Sequence, residues 1–237
     1  FPSNQPPAAR SPCAQNANPR TAGYERACLS CRRPCSGRAV LPLSGDAYEA
    51  VKDPKRGPKL DGAAWSKDGD LAVLGRLAPP TGSADWTHQN ADAANSLVSK
   101  DTVVKAPFQV LWFGGPTNAG VLPRHGHGPA PQVVGGRLFI QGRNMLRATD
   151  IYTGRLLWRR ELPDVGKYYD YTSHEPGANA IGSNYVSLPD GVYILHNDKC
   201  LRLDPATGKT LSAFVLPAAD GNAATRSWGF LAARDGH

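Results

Sequence analysis

Short apolar runs bounded by glycine and polar turns dominate the second half of the chain. Residues 138–140 (Leu-Phe-Ile) lie between Gly135-Gly136 and Gly142-Arg143-Asn144, which predicts a strand between tight turns. Residues 145–149 predict a second strand, with Leu146 and Ala148 on one face. Residues 156–162 resume the extended pattern around Trp158. The same series returns at 192–195, 200–203 and 210–216. Upstream, 108–113 predicts a buried strand ended by Gly114-Gly115-Pro116, and 71–74 a strand after the Asp68-Gly69 turn. A short helix is predicted at 91–99. Residues 228–231 (Trp-Gly-Phe-Leu) predict the opening strand of another unit.

The strands belong to a repeat. Asp-Ile-Tyr-Thr-Gly at 150–154 returns as Asp-Pro-Ala-Thr-Gly at 204–208, an offset of 54 residues from Asp150 to Asp204. That offset places Thr153 on Thr207, Gly154 on Gly208 and Pro163 on Pro217. In each turn the aspartate can accept backbone N–H groups two or three residues on, and the glycine supplies a positive φ. A supersecondary unit written twice is the mark of repeat architecture. Three or four antiparallel strands per unit, repeated radially, imply propeller blades. A blade cannot bury both faces alone, so it stacks on neighbours. The predicted fold is all-β, an incomplete propeller of about two blades. A closed ring takes roughly four to eight, so the open edges call for further blades or a partner protein. The chain starts at Phe1 and holds one methionine, Met145, which suggests a processed chain or a fragment.

With Asp150, Thr153, Gly154 and Trp158 in place, the pattern Asp-x-x-Thr-Gly-x-x-x-Trp resembles the tryptophan-docking repeat of quinoprotein-type (PQQ-like) β-propellers. The resemblance implies that the indole of one blade packs against the next. The second copy has Ser212 where the first has Trp158. Segments 85–89, 111–116, 124–129, 176–179 and 183–185 extend the resemblance to large bacterial PQQ-binding-like repeat proteins of planctomycete type, over about residues 84–233. It implies a periplasmic or cell-envelope location. It also implies two functions: a non-enzymatic binding or scaffold module, or a piece of a PQQ-dependent dehydrogenase using PQQ and calcium. The second needs a catalytic Asp, hard oxygen ligands for Ca²⁺ and an indole over the quinone, and no such set can be assigned from the sequence.

Charge divides the chain further. Residues 1–60 hold ten Lys/Arg against four Asp/Glu, so most of the net charge of +7 belongs there. Residues 1–38 show no helical or strand period and predict a disordered, basic tail. Residues 39–83 predict a linker with short strands, including a polar run at 52–59, and 84–237 the blades. A basic tail can bind nucleic acid, but no aromatic interleaving or nucleic-acid motif supports that. No apolar window is long enough for a membrane-crossing helix.

Candidate metal chemistry lies in two places. Cys28-x-x-Cys31, with Cys35 and Cys13, could hold zinc. Disulfides and unpaired thiols stand as alternatives, and Arg32 after the second cysteine argues against haem attachment. Cys200 reads as a small core residue. His125 and His127 flank Gly126 and could share a cation with His88 or His174; alternatively these histidines hydrogen-bond loop carbonyls. Arg124, His125, His127 and the 167–175 loop, with Asp170, His174 and Glu175, are the candidate site, because rigid scaffolds carry function on loops.

Overall fold

The structure is a computed structural model that describes residues 38–43, 45–53, 63–76, 79–110, 112–122, 128–170, 176–217 and 228–234. The expected tail and its cysteines Cys13, Cys28, Cys31 and Cys35 lie outside the described residues. The chain divides into two compact units, residues 1–80 and 81–237. Among the described residues it is mostly β, with three antiparallel sheets.

In the first unit, strands β1 (Arg38–Leu41), β2 (Ala63–Asp68) and β3 (Leu71–Arg76) form a sheet in the order β1-β3-β2. The turn after Asp68 joins β2 to β3, as the sequence predicts, and Ala72, Val73 and Leu74 are buried. Helix α1 (Gly45–Lys52) stands in the stretch expected to be linker. Asp46 in its first turn and Lys52 in its last suit the helix dipole. Tyr48 and Val51, three apart, are its buried stripe.

The second unit holds two four-stranded sheets of identical plan. Strands β4 (Gln132–Val134), β5 (Arg137–Gly142), β6 (Met145–Asp150) and β7 (Leu156–Glu161) form one meander. Strands β8 (Tyr185–Leu188), β9 (Gly191–His196), β10 (Lys199–Leu203) and β11 (Thr210–Val215) form the other. The register repeats with the sequence. Phe139, Ala148 and Trp158 stand abreast in the first sheet; Tyr193, Arg202 and Ser212 stand abreast in the second. Even the irregularity recurs: the outer pairing slips between Ala148 and Thr149, and again between Arg202 and Leu203. These are two blades of an incomplete propeller.

The blades pack face to face. Phe139, Leu146, Ala148 and Trp158 of the first meet Tyr185, Val192, Ile194 and Leu203 of the second in one buried cluster. The Phe139 and Trp158 rings lie 5.9 Å apart, tilted, a favourable aromatic arrangement. Buried polar groups are tied across the seam: Gln132 Nε2 donates to the Tyr185 carbonyl at 3.0 Å, and the Tyr185 hydroxyl donates to the Ala130 carbonyl at 2.7 Å. Burial drives the Tyr185 phenol well above its ordinary range, so it stays a neutral donor.

Three expectations fail, each for a reason. Residues 108–110 and 112–113 form no strand; Phe108, Val110 and Phe113 are 77%, 83% and 101% exposed. An apolar run marks a segment able to join a sheet, but a strand also needs a ladder partner, and none pairs with it among the described residues. Residues 91–99 form no helix. Ala91, Asn95 and Leu97 have φ of 77°, 54° and 59°, and Asp92 Oδ1 accepts the N–H groups of Ala94 and Ser96. That side chain offers the backbone a turn in place of helical bonds. Residues 228–231 carry no strand.

Candidate functional site

The repeated aspartate turns build the seam between blades. Asp150 Oδ1 accepts the N–H groups of Tyr152 and Thr153 at 2.9 and 3.0 Å. Asp204 Oδ1 accepts Ala206 N–H at 2.7 Å and its Oδ2 the Thr207 hydroxyl at 3.0 Å. The Ala206 N–H, more than any other group, holds the Asp204 carboxyl below its usual range. Each turn closes on its glycine, whose N–H donates to the aspartate carbonyl. Gly154 and Gly208 have φ of 70° and 71°.

An indole lies on each glycine. Trp158 Nε1 donates to the Pro205 carbonyl at 3.0 Å, and a Cβ on Gly208 would come within 2.7 Å of the Trp158 ring. The first turn is capped in the same way. Trp112 Nε1 donates to the Ile151 carbonyl at 2.8 Å, and a Cβ on Gly154 would come within 2.5 Å of the Trp112 ring. Both acceptors follow the turn aspartate by one residue. Trp112 is therefore a second docking tryptophan, where the sequence placed it only within an expected buried strand. A signal was available: Val110-Leu111-Trp112 repeats the character of Leu156-Leu157-Trp158.

Beside β4 and β8 a buried polar cluster surrounds His88. Thr87 Oγ1 lies 2.6 Å from His88 Nδ1, and His88 Nε2 accepts Ala233 N–H at 3.2 Å. Both ring nitrogens are engaged, and burial holds the imidazole below its ordinary pKa. Acceptance at Nε2 assigns the proton to Nδ1. The backbone of Trp86 pairs with Val133, and Thr87 O accepts Ser187 N–H, which stitches this segment to β4 and β8.

Of the other sequence candidates, Arg124, His125, His127, His174 and Glu175 lie outside the described residues. Asp170 pairs with Arg143 at 2.6 Å. Cys200 is buried and free, and burial raises its thiol pKa, as suits a core residue. Among the described residues, no three His, Cys, Asp or Glu side chains gather for a cation.

The described part of the 164–170 loop does border a cavity. A cleft of about 300 Å³ opens at the seam, walled by Asp164, Gly166, Tyr168, Tyr169, Asn184 and Asn197. Tyr168 and Tyr169 meet edge to face at 5.3 Å. Asn184 Oδ1 is buried and has no hydrogen-bond partner among the described residues. A buried acceptor without a donor is costly and is relieved by a ligand that brings an N–H or O–H group. The short 3-10 helix Lys167–Tyr169 and the linking helix α2 (Ala178–Ile181) fix the chain on either side of the remaining loop.

No family model matches the chain, and no curated protein does. Among solved structures, a similar one is the crystal structure of BamB from Moraxella catarrhalis, at 21% identity and a TM-score of 0.25. The match covers 36% of this chain and 22% of that one, so the chain spans about a fifth of its length. No helix among the described residues is long and apolar enough to cross a membrane.

Proposed function

We propose that residues 84–237 are a segment of a PQQ-like propeller that serves as a binding scaffold in a larger assembly at the cell envelope. The docked indoles make a rigid frame, and the loops between repeats present the ligand surface. The observation that carries this is the cleft at the blade seam. It combines two tyrosines, two asparagine amides and one buried acceptor that nothing in the described residues satisfies. Tyrosine and asparagine give contact area and adaptable hydrogen bonds at low entropic cost. An extended peptide, with an N–H at every residue, fits such a surface.

The open face of the second blade supports the larger assembly. Its outward side chains include Tyr193 and Phe214, stacked at 6.3 Å, with Arg202 beside them. Phe214 and Val215 remain 45% and 60% exposed.

A selection of random peptides against the full chain tests the binding role. Binders are expected to lose about tenfold or more in affinity on Asn184→Leu and on Tyr168→Ala, with the melting temperature held. Binders indifferent to both substitutions would contradict it.

A further inference from the structure

The two blades differ at one cross-strand pair. In the first, Arg147 of β6 stands directly opposite Arg159 of β7. The repeat offset carries these positions to Leu201 and Ala213, also directly opposite each other. The blade architecture therefore accepts an apolar pair here, and two arginines are a departure from it. Like charges facing across a ladder destabilise it.

Burial sharpens the anomaly. Arg147 is only 8% exposed, and its Nε has no partner among the described residues. Its Nη1 donates to the Thr117 carbonyl at 2.9 Å. The Arg159 guanidinium reaches the same turn: its Nη2 would lie 3.7 Å from a Cβ on Gly120. Both cations thus end on the 117–120 turn, where Val121 N–H closes on the Asn118 carbonyl. Burial, and next the Arg159 charge, lower the Arg147 pKa, as expected for a cation lacking its counter-ion. Among the described residues one carboxylate pairs with either of them. Glu161 Oε1 meets Arg159 Nε at 2.7 Å on the exposed rim. The nearby Arg143 is engaged by Asp170. Arg159 thus has one carboxylate and Arg147 has none among the described residues, with a buried N–H left over.

We propose that Arg147 and Arg159, over the 117–120 turn, form a binding site for a tetrahedral oxyanion, phosphate or sulfate. Guanidinium N–H groups match such oxygens in geometry as well as charge. The anion turns the facing charges into a bridge.

Melting of the full chain in sodium phosphate, sodium sulfate and sodium chloride at equal ionic strength tests the site. Phosphate or sulfate is expected to raise the melting temperature by about 2–4 °C over chloride. The double variant Arg147→Leu, Arg159→Ala copies the pair of the second blade. It is expected to keep its circular dichroism spectrum and lose the rise. Arg159→Ala alone, at an exposed position, is expected to lose most of it. No rise in the parent chain, or an undiminished rise in Arg159→Ala, would overturn the site.

Discussion

At Gly208 one hydrogen atom decides whether two blades meet. A methyl there would sit 2.7 Å from the Trp158 ring, at a φ of 71° that side chains rarely adopt. Gly208→Ala is expected to cost about 2–3 kcal/mol in denaturant unfolding, from backbone strain together with overpacking. Trp158→Ala should cost about 3–5 kcal/mol. His88 answers to pH. A free histidine titrates near 6.5, and burial lowers the value in the folded chain. The unfolded chain therefore takes up the proton more readily, so the contribution to stability is complete above about pH 6.5 and declines as pH falls below it. His88→Gln should flatten the fall in melting temperature between about pH 6.5 and 5; an unchanged slope would contradict the buried neutral imidazole. Residue roles were legible where they are local. Asp150 and Asp204 bond groups two and three residues on, and both turns can be read from five letters. Trp112 was not legible as a docking residue, because its acceptor lies 39 residues away.

The strands legible in sequence are those that carry an apolar run between turn residues: β3, β5, β6, β7, β9, β10 and β11. Strands β4 and β8 were missed because they are short and place Gln132 and Ser187, both buried polar residues, inside. Residues 108–113 show the opposite error, an apolar run with no partner strand among the described residues. Helix α1 was hidden by its shortness, since only Tyr48 and Val51 mark its buried face. At this scale the account predicts graded stability within a sheet. Strand β6 is buried along nearly its whole length, while most of β11 is exposed. Amide exchange in β6 should be slower than in β11 by about 100-fold or more. Equal protection would mean that β11 is covered in solution.

For the whole molecule, the candidate site was only half visible in sequence. The 167–175 loop was singled out, and its described residues Tyr168 and Tyr169 do line the cleft, but the cleft also needs Asp164, Asn184 and Asn197, which the seam brings to it. The fold and the cleft alike depend on one device used twice, an indole seated on a glycine turn. Exchange of the indole N–H protons, resolved for the five tryptophans by NMR, tests it most directly. The account predicts slow exchange at Trp112 and Trp158, with Gly154→Val freeing the first alone and Gly208→Val the second alone. Fast exchange at both in the unaltered chain, or loss of protection at the wrong indole, would contradict it.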